Sequence, residues 1–151
     1  MLKDNREIVR EKTKEISSKK HKLMPSDWGY EKLIKLFPNI RNGFVGTATP
    51  YYVENGVKYL QGKNIKNGRI ISDGMIFVSE EFHKKQKKSQ LKKNDIVMVQ
   101  SGHVGECAVI NKEFSDANCH ALIILSPNED VDPKFYSYYF NSNLGKRLVY
   151  K

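Results

Sequence analysis

Between residues 43 and 126 the chain never holds one pattern for long. "FVG", "VKYLQ", "RIIS", "MIFVS", "NDIVMVQ", "CAVI" and "ALIIL" are short β-prone runs separated by Asn-Gly, Asp-Gly and Ser-Gly pairs. Such pairs supply the special backbone angles of turns, so the strands they separate are short and close in sequence. The run "NGRIISDGMIFVS" reads as strands joined by a tight Asp73-Gly74 turn. Helical patterns occur only towards the two ends. The expected architecture is α+β: a mostly antiparallel, barrel-like or irregular sheet with flanking helices.

At the amino end, residues 1–24 read as a helical arm. Twelve of the first 23 residues are charged, none is Gly or Pro, and Leu2, Val9, Ile16 and Leu23 recur every seven residues. Glu15 and Lys19 stand at the favourable i,i+4 spacing. One apolar position per heptad is a thin seam, suited to docking on another helix rather than to holding a coiled coil by itself. "MPSDW" then punctuates the chain, and Ser26 or Asp27 is offered as the cap of a short helix over "YEKLIKLF". At the carboxyl end, Asp132 reads as a helix cap and Pro133 as the first helical residue. Phe135, Tyr136, Tyr139 and Leu148 follow at helical spacing.

Composition narrows the partners. The 151 residues carry 26 Lys+Arg against 17 Asp+Glu, a net charge of +9, which argues for a polyanionic partner and says nothing of fold. Hydrophobic residues make up 39%, enough for a core. No apolar run approaches the roughly 20 residues that cross a bilayer. "MLKDNREIVR" is charged from its third residue and lacks the apolar stretch of a signal peptide. With only two cysteines, Cys107 and Cys119, the expected setting is a reducing cytoplasm.

Catalytic motifs are missing. The sequence has no GxxxxGK[ST] loop and no GxGxxG fingerprint. The acidic-x-Lys element Asp132-Pro133-Lys134 echoes nuclease metal sites, but its place at a helix start accounts for it. His103, Cys107, Cys119 and His120 are metal-ligand types at irregular spacing, unlike the paired ligands of structural zinc. Neither a catalytic residue nor a metal site is expected.

The cations and amides are the better lead. "YLQGKNIKNGRI" sets Gln61, Lys63, Asn64, Lys66, Asn67 and Arg69 on Gly62 and Gly68. "VQSGHVGE" adds Gln100, Ser101 and His103 beside Gly102 and Gly105. "HKKQKKSQLKK", residues 83–93, holds Lys84, Lys85, Lys87, Lys88, Lys92 and Lys93 with no acid. Lysines hold phosphates as point charges and give salt-sensitive, sequence-blind affinity. Gln, Asn and Arg can make the two-pronged hydrogen bonds that tell base edges apart in the major groove. Gln61, Lys63, Asn64, Asn67, Arg69, Gln100, Ser101 and His103 are therefore the base-contact candidates. Lys66 and the six lysines of 84–93 are the phosphate candidates, with Asn118 and His120 as weaker base contacts.

"GVKYLQGKNIKNGRI", "KKSQLKKNDIVMVQSGHVGECAVI", "DANCHALIIL" and "DPKFYSYYFNS" follow in order. In that order and spacing they resemble the target recognition domain of type I restriction-modification specificity subunits. The resemblance runs from about Trp28 to Tyr150. Its most specific pieces are Lys63-Asn64-Ile65, the K-x-x-D-I element from Lys92 to Ile96, and Ser101-Gly102-x-x-Gly105. It implies a non-catalytic module, residues 25–151, that binds double-stranded DNA and reads one half of a split site. It further implies methyltransferase (modification) and restriction subunits as partners, with S-adenosylmethionine, Mg and ATP bound by those partners and no cofactor held directly. The arm would be a piece of spacer or docking helix. The chain departs from the pattern in having one recognition unit and in stopping at "LGKRLVYK", before any Pro-Leu…Glu-Gln segment. On that reading the domain is incomplete at its carboxyl end, or is a half-subunit that dimerises to rebuild two half-sites.

Two rival readings remain open at this level. "GFVG" at 43–46 and "GHVG" at 102–105 match the short GxxG loop of RNA-binding KH domains. Alternatively the arm makes the chain an assembly protein whose affinity for DNA is incidental.

Overall fold

The computed structural model describes residues 27–149. The chain divides into two compact units at Glu31/Lys32, and the elements below belong to the second. The helical arm expected over residues 1–24 lies outside the described residues.

The strongest hairpin signal decides the local topology. Asn67 and Gly68 both take positive φ, 51° and 73°, the angles of a type I′ turn. They join β4 (Ile65–Lys66) to β5 (Arg69–Ile70) as an antiparallel pair. The Asp73-Gly74 turn also exists, with Gly74 at φ 64° and Met75 N–H donating to the Ser72 carbonyl at 3.0 Å. It does not make the expected hairpin, because β5 already pairs back to β4. The strand after the turn, β6 (Ile76–Val78), pairs instead with β2 (Tyr52–Val53) and β3 (Val57–Leu60).

Four further strand pairings complete two four-stranded sheets. The first sheet runs β1 (Asn39–Asn42), β10 (Leu122–Ser126), β7 (Ile96–Val99) and β8 (Cys107–Val109), antiparallel throughout. The second runs β2, β6, β3 and β9 (Asn118–Cys119), where β3 and β9 are parallel. The expected α+β class holds. The sheets do not close into a barrel among the described residues.

Strand β7 shows why its run, "IVMV", does not alternate. Val97 and Val99 pack with Leu60, Leu122 and Ile124 in one cluster, while Ile96 and Met98 pack with Phe37, Cys107 and Leu125 in another. A strand covered on both faces needs apolar residues at every position. A third cluster, of Ala48, Tyr59, Val78 and Phe82, sits within the second sheet.

Helix α1 is Leu33–Leu36, shorter than the expected span over "YEKLIKLF". Its N-cap is Lys32, with no side-chain cap bond, so Asp27 does not cap it; Ser26 lies outside the described residues. A helix capped at Asp27 would have to run through Gly29, which disfavours helix, and Pro38 restricts Phe37 at the other end. Helix α2 (Glu80–Lys85) is capped by Ser79, whose Oγ accepts from Phe82 N–H. Helix α3 (Pro133–Asn141) begins as expected: Asp132 Oδ1 accepts from the amides of Lys134 and Phe135, with Pro133 in the first turn. That capping role accounts for the acidic-x-Lys element.

The chain breaks at Ser142 and continues as α4 (Asn143–Val149). At the break, Asn141 donates to the Cys107 carbonyl at 2.9 Å and accepts from the Cys107 amide at 3.0 Å. This side chain pairs with edge strand β8 as another strand would. Gly145 allows α4 to fold back, since a Cβ there would stand 2.0 Å from the Tyr139 carbonyl oxygen and 2.8 Å from Phe140 Cα. Gly145→Ala should therefore destabilise the protein by about 2 kcal/mol or more, the upper part of the overpacking range. Gly62→Ala meets only Val99 Cγ1, at 3.5 Å, and should change stability by less than about 0.5 kcal/mol. Urea denaturation of both variants measures the contrast.

Candidate nucleic-acid interface

The stretch Gln61–Ile71 is held from inside. Gly62–Asn64 form one turn of 3-10 helix, in which Asn64 Oδ1 accepts from Gln61 N–H at 3.0 Å. Asn64 Nδ2 donates to the carbonyls of Ile71 at 3.0 Å and Asp73 at 3.4 Å. Asn64 is fully buried. It thus leaves the base-contact candidates: its amide ties the two ends of the loop together. Lys63, Lys66, Asn67 and Arg69 remain exposed around it, and Gln61 is half-buried, donating to the Tyr52 hydroxyl at 3.3 Å.

The connection between β7 and β8 carries the second group. Ser101 and Gly102 are exposed at its tip, and Gln100 is half-buried beside β7. Gly102 takes φ 79° and Gly105 φ 86°, which suits glycine at both bends. Two contacts join this loop to the β4–β5 hairpin. A His103 ring nitrogen, Nε2, lies 2.9 Å from the Ile65 carbonyl and 3.4 Å from Glu106 Oε2. The other Glu106 oxygen accepts from the amide of Asn67 in the hairpin turn. Segments some forty residues apart in sequence, both named by their amides and cations, form one surface. His103 is partly committed to building it.

The lysine-rich segment is ordered as α2 followed by a 3-10 turn at Lys87–Ser89. Lys84, Lys85, Lys87, Lys88, Lys92 and Lys93 are all exposed. Lys85 pairs with Glu81 at 2.6 Å on the surface, a contact of small worth in water. Arg41 of β1 fastens the segment from below, donating from Nε to the Lys88 carbonyl and from Nη2 to the Gln90 carbonyl, each at 2.9 Å. Its guanidinium also meets Asp95 Oδ2 at 3.0 Å and Ser126 Oγ at 2.7 Å.

Asn118 latches the same segment to the second sheet. It is fully buried, accepts from Ser89 Oγ at 2.6 Å and donates to the Gln86 carbonyl at 3.2 Å. Like Asn64, it is withdrawn from DNA contact by its own bonds. β9 then leads through Cys119 to His120, whose amide donates to the Leu60 carbonyl at 2.8 Å. Asn118 to His120 therefore touches both the lysine segment and the start of the glycine-rich loop.

Neither cysteine is poised for chemistry. Burial pushes both thiols, Cys107 and Cys119, up to about 12, and they lie in different clusters. Among the described residues no three His, Cys, Asp or Glu side chains converge as a metal would require. None of the described helices is long and apolar enough to cross a membrane. "GFVG" lies beside β9, with Phe44 bridged to His120, and "GHVG" is the hairpin loop just described, so neither stands between helices as in a KH domain.

Residues 25–150 match the type I restriction modification DNA specificity domain. The chain belongs to this family. It is 21% identical over 133 residues to the type I restriction enzyme EcoBI specificity subunit of Escherichia coli, covering 87% of this chain and 27% of that one. It is also similar in fold to a chain from a solved structure addressing complex assembly and conformational transition of the type I restriction-modification system. There the TM-score is 0.57 at 18% identity, over 95% of this chain and 38% of the other. The chain thus spans well under half the length of these relatives.

Within this specificity domain, Arg41 and Asp95 carry a role that local sequence did not reveal. Asp95 also accepts from Ser126 Oγ at 2.6 Å and from the Lys92 amide at 3.0 Å, and is 2% exposed. Arg41→Gln should leave that carboxylate short of a counter-charge. Breaking a buried pair costs roughly 3–5 kcal/mol, and Arg41's partial exposure places the expected loss towards the lower end. Chemical denaturation of the variant gives the number, and a loss below about 1 kcal/mol would contradict the clamp.

Proposed function

We propose that this domain reads one half of a split double-stranded DNA target on behalf of methyltransferase and restriction subunits. The observation that carries the reading is the joining, through Glu106 and His103, of the Lys63–Arg69 and Gln100–His103 loops into one surface. Lys63, Asn67, Arg69 and Ser101 offer it exposed donors and acceptors, with Gln61 and Gln100 at its edge. Such side chains suit base edges, while Lys66, Lys84, Lys85, Lys87, Lys88, Lys92 and Lys93 suit the phosphate backbone. The net charge of +9 would bring DNA in at long range, most strongly at low salt.

Division of labour follows from the chemistry. S-adenosylmethionine, Mg and ATP belong on the partner subunits, and the domain's share of the reaction is to choose where they act. A second half-site would be read by another such domain, whether in the same polypeptide or in a second copy. Residues 1–24, for which the sequence predicts a helix, would suit that contact or the docking of a partner helix.

Selection from a randomised duplex pool at two salt concentrations tests the reading. A half-site of about three or four bases should emerge. Arg69→Ala and Gln100→Ala should relax discrimination, by roughly 1–3 kcal/mol for each lost two-pronged contact. Lys87→Ala with Lys88→Ala should weaken all duplexes alike and flatten the slope of affinity against salt by about one unit per lysine. Binding without any enriched sequence, abolished at the higher salt, would overturn sequence reading. Preference for single-stranded RNA in competition would overturn the choice of ligand.

A further inference from the structure

His120 stands at the end of the second sheet among aromatic rings, and its surroundings fix its chemistry. Its backbone continues β9 beside β3, so that His120 follows the Leu60–Cys119 pair as Gln61's neighbour, and it bridges on its other side to Phe44. The Tyr59 hydroxyl lies 3.0 Å from His120 Nδ1. Tyr59 is fully buried, and burial raises its phenol well above the ordinary range, so it keeps its proton. A buried hydroxyl needs an acceptor, and among the described residues Nδ1 is the one it has. Tyr59 therefore donates, Nδ1 accepts, and the neutral imidazole carries its hydrogen on Nε2.

That leaves one donor, Nε2–H, on a half-exposed ring with no hydrogen-bond partner among the described residues. The Phe44 ring lies 6.4 Å away, and Val45, next in the chain, is 71% exposed. A single donor beside an apolar surface matches the base edge that sets an acceptor beside a methyl group, which in the major groove is thymine O4 with its 5-methyl. Cytosine presents a donor there and would face Nε2–H with a like group. The position suits such a contact, since Asn118 to His120 touches the lysine segment and, at Leu60, the end of β3 that leads into the Gln61 loop.

We infer that His120 is a specificity-determining residue that reads a thymine edge, and that Tyr59 is the positioning residue that sets its tautomer. The inference rests on the reading of the domain as a DNA half-site reader.

The test repeats the duplex selection with the full chain, His120→Ala and Tyr59→Phe, each checked for folding by circular dichroism and thermal melting. The wild type should enrich a motif containing thymine at one position. His120→Ala should lower that thymine's enrichment about fivefold or more and leave the other positions and the salt slope unchanged. Tyr59→Phe, which keeps the ring and fills the core, should weaken preference at the same position alone. If the wild type enriches a motif that both folded variants retain in full, the inference fails while the reading of the domain stands. Uniform loss at every position in Tyr59→Phe makes the pair structural and equally overturns it. If the wild type enriches nothing, the reading itself has failed.

Discussion

A buried carboxylate organises this molecule. Asp95, immediately before β7, lies almost out of reach of water, and a charge there must be compensated by donors or not be present at all. It draws three: the guanidinium of Arg41 from β1, the hydroxyl of Ser126 at the end of β10, and the amide of Lys92 at the close of the lysine-rich segment. The first sheet, its outer strand and the cationic segment are thereby fixed to one point. The arrangement also explains how so dense a run of lysines can be ordered. Their backbone carbonyls, at Lys88 and Gln90, face the Arg41 guanidinium, while their side chains lie in solvent, where mutual repulsion is screened.

Buried amides do for the loops what Asp95 does for the sheet. Asn64 closes the Gln61–Asp73 segment on itself, and Asn118 ties α2 and the following turn to β9. These are also the residues at which sequence reasoning goes astray. An asparagine among glycines and lysines has the same chemistry whether it faces a base or a carbonyl of its own chain. What separates Asn64 from Asn67, three residues on, is burial, and burial depends on Ile71 and Asp73 returning to meet it. Arg41 is harder still, because its partners lie 47 to 85 residues away and nothing beside it in "NIRN" announces them.

Features whose partners are local were legible. The Asn67-Gly68 turn, the Asp132-Pro133 helix start and the apolar strands could be read because each is settled within a few residues. The Asp73-Gly74 turn was legible as a turn but not as a hairpin. Two turn signals competed for β5, and the tighter type I′ geometry at Asn67-Gly68 took the strand. The short α1 reflects the same limit at an end: a cap signal upstream has no effect when glycine intervenes before the helix can propagate. The clustering of the Lys63–Arg69 and Gln100–His103 loops was foreseeable in residue type. The Glu106 contact that joins them was not, since a lone glutamate before a strand carries no mark of its partner.

The contacts that build the candidate surface have a common property. Glu106 binds the amide of Asn67, His103 meets the carbonyl of Ile65, and Asn64 holds the carbonyl of Ile71. Each reaches the partner's backbone, so the side chains of Lys63, Lys66, Asn67, Arg69 and Ser101 take no part in holding their own loops. A loop fixed through its backbone tolerates exchange of its exposed side chains at little cost in stability, because no packing or buried bond is lost. For a domain whose task is to choose among DNA sequences, this separation has a direct consequence. On the proposed assignment, the identity of the target would change by substitution at exposed positions while Asp95, Asn64 and Asn118 keep the same scaffold, so that fold and specificity would vary independently.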